Sequence, residues 1–161
     1  MGEYGENPVS VLFVCMGNIC RSPLAEGVFR HLANERGLDV LADSAGTGGW
    51  HAGNLPDPRS VAVAAAHGID IRGQRARKVA LGDFARHDLI LAMDGSNLAD
   101  LERIRPAGAT ATLALYLDHA LGQSADVPDP YYGGRDGFEH VYRMIREASA
   151  ALVDRLGRRS G

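Results

Sequence analysis

Residues 9–23 read VSVLFVCMGNICRSP. Val9, Val11, Leu12, Phe13 and Val14 form a short apolar run, which predicts a strand over 9–14. Cys15 ends that run, and Met16 to Cys20 form a loop with a single glycine, Gly17. Ser22 and Pro23 have the pattern of an N-cap followed by proline at the first helical position. Leu24, Val28 and Leu32 then recur every fourth residue along one helical face. A helix is expected over 23–36, stopped by Gly37. The stretch therefore reads strand, tight loop, helix N-terminus.

A loop of that kind can turn backbone N–H groups inward, and the start of the following helix favours negative charge. It is an anion site with a thiol at its centre. A free cysteine is mostly protonated at neutral pH, but a helix N-terminus and a nearby guanidinium favour the nucleophilic thiolate. Arg21, six positions after Cys15, can hold two oxygens of a phosphate in a fork. The amides of residues 16–22 (Met16, Gly17, Asn18, Ile19, Cys20, Arg21 and Ser22) would stabilise the remaining charge. A Cys-x5-Arg spacing arises readily by chance; the strand before it and the helix after it give it weight.

Outward from this stretch, the chain continues in short alternating segments. Asp39 to Ala42 is a candidate second strand, and residues 44–58 (SAGTGGWHAGNLPDP) read as a long loop. Its length is of the kind that marks functional loops. Asp57 and Pro58 open a helix that runs to His67, ahead of Gly68. Residues 72–78 (RGQRARK) form the one basic cluster, a solvated loop or a steering patch for anionic substrates. Asp88 to Met93 is a third strand, followed by a helix capped by Asp94 or Ser96 that ends near Arg105. Thr110 to Tyr116 is a fourth strand. A second long loop, 122–134, contains Asp129. The final helix starts near Asp136 with Glu139 completing a capping box, and Phe138, Val141, Ile145, Ala148 and Leu152 form its apolar face.

Four apolar strands alternating with helices predict one α/β domain. The expected architecture is a four-stranded parallel sheet with helices on both faces, an open sheet of flavodoxin or Rossmann type. Ligands of such sheets lie at the carboxyl ends of the strands, where Cys15 falls. The 161 residues fit one domain, with residues 1–8 a loose N-terminal segment and 9–157 the folded unit. A net charge of −3 gives no general case for nucleic-acid binding. No apolar run approaches the ~20 residues of a membrane span. The start MGEYGENP has neither the basic region nor the apolar core of a signal peptide. Its Glu6 stands where myristoylation expects Ser or Thr. With only two cysteines, both in one loop, a reducing, cytoplasmic setting is expected. No metal site is expected, since Cys15 and Cys20 lack companion ligands at zinc spacing.

The run VLFVCMGNICRSPLAE closely resembles the phosphate loop of low-molecular-weight protein tyrosine phosphatases. The likeness continues in Asp43-Ser44-Ala45-Gly46-Thr47, Trp50-His51, His67-Gly68, Met93-Asp94 with Ser96-Asn97, and Asp129-Pro130-Tyr131-Tyr132-Gly133. The resemblance implies a phosphohydrolase that needs no cofactor, with Cys15 as nucleophile, Arg21 on the phosphate and Asp129 as general acid and then base. It implies a network of Asn18, Ser22, Ser44 and His67 that shapes the loop. Met16, Ile19, Trp50, Tyr131 and Tyr132 would wall a pocket deep enough to bring phosphotyrosine to Cys15 and to hold phosphoserine short of it. Phosphotyrosine-containing proteins would be the partners, and phosphate and vanadate the inhibitors. Cys20 would capture an oxidised Cys15 as a disulfide, the alternative being a small apolar filler.

Three other activities compete. Arsenate reductase chemistry on this fold needs resolving cysteines near residues 80–90, where the chain has none. Protein arginine phosphatases of the family carry Thr where this chain has Ile19. A non-catalytic phosphoprotein-binding module could dispense with Cys15 or Asp129, and both are present.

Overall fold

The computed structural model describes residues 8–131 and 135–160. Four strands, β1 (Val9–Cys15), β2 (Val40–Gly46), β3 (Leu89–Ala92) and β4 (Thr112–Leu115), pair in parallel in the order β2-β1-β3-β4. Six helices connect and follow them. They are α1 (Arg21–Glu35), α2 (Pro58–Ala66), α3 (Asp83–Arg86), α4 (Gly95–Ile104), α5 (Tyr116–Leu121) and α6 (Arg135–Ser160). The expected α/β sheet is the one observed.

The alternation of β1 assigns its two faces. Val9, Val11, Phe13 and Cys15 join Leu24, Val28 and Phe29 of α1, Tyr116 of α5, and Phe138, Val141, Ile145, Ala148 and Leu152 of α6. Leu12 and Val14 point the other way, against Phe84 of α3 and Leu101 of α4. Phe13 meets the rings of Phe29 and Tyr116 edge-on at centroid distances of 5.6 and 5.3 Å. The connection from β1 leads to β2 on one side, and the connection from β2 crosses back past β1 to β3 on the other. The crevice at the carboxyl ends of β1 and β3 is therefore the topological switch point, where ligands of such sheets bind.

Several boundaries differ from expectation. Helix α1 begins at Arg21, with Cys20 at its N-cap position and no side-chain cap. Ser22 and Pro23 thus lie inside the first turn, and the Ser22 hydroxyl is spent on the Cys15 sulfur instead. Strand β2 runs on to Gly46, because the 77–79 segment pairs with its end. Gly46 N–H donates to Arg77 O, and Val79 N–H donates to Gly46 O, each at 2.8 Å. A side chain at Gly46 would put its Cβ 2.7 Å from Met16 O, so only glycine permits this approach. The expected fourth strand stops at Leu115, since Tyr116 opens the short helix α5. Glu139 Oε1 accepts from His67 Nε2 at 3.1 Å, which commits the carboxylate expected in a capping box. Asp57 does cap α2, accepting from Arg59 N–H at 2.8 Å, with Pro58 in the first turn. Residues 1–7 and Tyr132 lie outside the described residues. Among the described residues, no helix is long and apolar enough to cross a membrane.

Candidate active site

Cys15 ends β1, and its backbone carbonyl accepts from Thr47 N–H at 2.9 Å. The carbonyls of Met16, Ile19 and Cys20 are likewise held from outside, by Gly48 N–H (3.0 Å), Asp57 N–H (2.7 Å) and Ser60 Oγ (3.1 Å). With its carbonyls tied outward, the loop can present amides inward. Asn18 N–H lies 3.3 Å from Cys15 Sγ, and Ser22 Oγ is 3.0 Å from it.

Asn18 supplies the bend. It has φ of +59°, the left-handed region that side chains rarely occupy. Its buried side chain uses every arm to hold that geometry. Nδ2 donates to Ser22 Oγ (2.9 Å) and Ser44 Oγ (3.0 Å), and Oδ1 accepts from Arg77 N–H (2.9 Å). Ser44 Oγ in turn donates to Gln74 Oε1 at 3.4 Å, while Gln74 Nε2 donates to Pro23 O at 2.9 Å. His67, expected in this network, stands apart from it: its ring stacks on Tyr142 at 3.9 Å and its Nε2 faces Glu139. Gln74 occupies the place that sequence reasoning gave to a histidine.

Arg21 is nearly sealed, its side chain 3% exposed. Its Nη1 donates to Asp94 Oδ2 at 2.7 Å and to Val127 O at 3.0 Å. Asp94 was expected as a cap for α4, and its Oδ1 does accept from Asn97 N–H at 2.8 Å. The same carboxylate thus orients Arg21 across 73 residues of sequence. Burial alone would make Arg21 easier to deprotonate; the Cys15 sulfur and Asp94 outweigh it and hold the guanidinium charged. Val127 N–H donates to Met93 O at 2.8 Å, which ties the Asp129 loop to the end of β3. Asp129 Oδ2 lies 3.7 Å from Arg21 Nη2, and Oδ1 accepts from Tyr131 N–H at 3.0 Å.

These groups surround one cavity of about 160 Å³, lined by Cys15, Met16, Gly17, Ile19, Cys20, Arg21, His51, Asp129 and Tyr131. Trp50, expected in its wall, is 75% exposed and leans over Gly48; His51 fills the wall from that loop instead. Cys20 is buried beside Cys15 in the same cavity. Burial, with the negative charges of Asp57, Cys15 and Asp129, pushes its thiol up to about 12. Within the basic cluster, Arg72 pairs with Asp70, and Arg77 with both Asp83 and Asp43.

The model of the low molecular weight phosphotyrosine protein phosphatase family matches residues 10–160. A low molecular weight phosphotyrosine protein phosphatase of Schizosaccharomyces pombe is 49% identical over 145 residues, 88% of this chain and 92% of that protein. The crystal structure of YfkJ from Bacillus subtilis superposes with a TM-score of 0.88 at 39% identity, covering 98% of this chain and 99% of that one. The structure of a Drosophila arginine phosphatase gives a TM-score of 0.85 at 34% identity over 91% of this chain and 96% of that one. Family and fold together define the class, a phosphoric monoester hydrolase. The chain belongs to the low molecular weight phosphotyrosine protein phosphatase family.

Proposed function

We propose that this protein hydrolyses phosphotyrosine in proteins through a phosphocysteine intermediate on Cys15. In the first step the Cys15 thiolate attacks phosphorus and the bond to the tyrosyl oxygen breaks. Asp129 gives its proton to that oxygen. In the second step Asp129 takes a proton from water, the water oxygen attacks phosphorus, and the S–P bond breaks. Inorganic phosphate leaves and the thiolate returns. Nη1 of Arg21 is committed to Asp94 and Val127, so Nε and Nη2 form the fork for the phosphoryl oxygens. The loop amides at Asn18 and its neighbours take the remaining charge. Phosphate and vanadate would compete for the same cradle.

One observation carries this reading: Cys15 Sγ receives Asn18 N–H and the Ser22 hydroxyl at the base of a cavity that also holds Arg21 and Asp129. Met16, Ile19 and Tyr131 give that cavity apolar sides suited to a phenyl ring. Phosphoserine has no ring to fill those apolar sides. A second reading, phosphoarginine hydrolysis, draws on the likeness to the Drosophila arginine phosphatase; Ile19 on the cavity wall speaks against it. Cys20, in contact with the same cavity, is assigned the protective disulfide with an oxidised Cys15. The reducing, cytoplasmic setting is part of the proposal. Matched peptides carrying phosphotyrosine, phosphoserine or phosphoarginine test it, with Cys15→Ser as control. Turnover of the phosphotyrosine peptide by wild type alone is expected. Preferential phosphoarginine hydrolysis, or turnover by folded Cys15→Ser, would overturn it.

A further inference from the structure

A second cavity, of about 420 Å³, lies between α2 and α6. Pro58, Ala62, Val63 and Ala66 form one side, spaced along a single helical face, and Phe138 forms the other. The small alanines make the face concave. The polar groups at its two ends already have partners: Arg59 is bound by both oxygens of Asp57, and Glu139 lies 3.1 Å from His67. Phe138 is buried beneath Arg59, so what the groove offers a visitor is the exposed apolar surface of α2 around Ala62 and Ala66.

The groove adjoins the catalytic cavity through one side chain. The Arg59 guanidinium sits 4.5 Å from the Phe138 ring centroid, in the groove, and 5.5 Å from that of Tyr131, in the catalytic cavity. Arg59 is thus the wall between the two. It is also fixed relative to Cys15, because Asp57, which holds it, donates its N–H to Ile19 O of the phosphate loop. Arg59 therefore lies on one rim of the catalytic cavity, a side by which a polypeptide whose phosphotyrosine fills that cavity can leave. An extended chain advances about 3.3 Å per residue with side chains on alternate faces. Two or three residues therefore carry it about 7–10 Å, past Arg59 and over the groove.

We propose that the α2–α6 groove receives an apolar side chain of the substrate polypeptide, two or three residues from the phosphotyrosine. This rests on the phosphotyrosine reading and adds a sequence preference to it. The occupant is part of the substrate, because the groove adjoins, across Arg59, the cavity that the substrate must enter, and because the polar groups at its ends already have partners within the protein.

The test compares two phosphotyrosine peptides, one with Leu and one with Gly at the second and third positions on each side. For wild type, kcat/KM on the Leu peptide should be about tenfold higher, the scale of burying one aliphatic side chain. Ala62→Glu and Ala66→Glu, on exposed α2 positions, should each erase that ratio. Both should leave 4-nitrophenyl phosphate turnover unchanged, which also reports that they fold. Equal kcat/KM on the two peptides for wild type would overturn the groove. So would a preference that survives both substitutions, or a concentration-dependent dimer of wild type that both substitutions abolish. Failure to hydrolyse either peptide, with 4-nitrophenyl phosphate still turned over, would instead overturn the phosphotyrosine reading and this proposal with it.

Discussion

Arg77 donates its backbone N–H to Asn18 Oδ1 at 2.9 Å, across 59 residues of sequence. Its guanidinium meanwhile grips both oxygens of Asp83 at 2.9 Å and reaches Asp43. The side chain pins the segment whose main chain holds the left-handed residue of the phosphate loop.

Arg77→Ala should strip the Asp83 carboxylate, 1% exposed, of its two-pronged partner and leave only the longer contact with Arg86 at 4.0 Å as an arginine pair. The expected loss is about 1–3 kcal/mol of stability, read by urea denaturation, with partial rescue in Arg77→Lys. Burial alone would raise the Asp83 carboxyl, but the Arg77 hydrogen bonds and the Ala80 N–H hold it below its ordinary value. Its stabilisation is therefore complete above about pH 4, the unfolded carboxylate value, and falls away as the pH drops toward the folded one. Asp83→Asn should be less stable than wild type at pH 7 and should lose less on acidification below pH 4. Parallel acid profiles for the two proteins would contradict this.

This network marks the boundary of what the sequence makes legible. Local signals carried the strands, the Cys15–Arg21 spacing and the Asp57–Pro58 helix start, because each rests on neighbours within a few residues. The support of the loop does not. Gln74 reaches Ser44 from 30 residues away, and nothing in its surroundings singles it out, whereas His67 enters only through the family resemblance. Ser22 has the pattern of a cap, yet a thiol seven residues back takes its hydroxyl. The resemblance puts Trp50 in the pocket wall, but its Gly-rich surroundings permit exposure and do not fix the direction of the side chain. Short helices such as α3, of four residues, leave no periodicity to detect.

Asp129→Ala should lower turnover of a phosphotyrosine peptide by about 10²–10⁴-fold, the usual scale of general acid catalysis. The loss should be much smaller for 4-nitrophenyl phosphate, whose leaving group needs little protonation. Equal losses on the two substrates would move the acid elsewhere, first to Asp94 or Asp57.

Ile19→Thr should narrow the preference for phosphotyrosine over phosphoarginine peptides, since it replaces apolar cavity wall with a hydroxyl that can position water. The ratio of the two kcat/KM values measures it. An unchanged ratio leaves Ile19 as packing alone.

Peroxide should convert Cys15 to a sulfenic acid, which Cys20 then captures as a disulfide with release of water. Because the Cys20 thiol is held up to about 12, capture should be slow at neutral pH and should accelerate as pH rises. After brief peroxide and then dithiothreitol, wild type should regain more activity than Cys20→Ser. Equal recovery would leave Cys20 a filler of space.

The central claim is the phosphocysteine on Cys15. Wild-type protein mixed with 4-nitrophenyl phosphate, quenched in denaturant within the first turnover and examined by mass spectrometry should carry one phosphoryl group, on Cys15. Cys15→Ser treated in the same way should carry none and should release no nitrophenol. Turnover with Cys15 unmodified throughout, or a phosphoryl group on any other residue, would contradict the account.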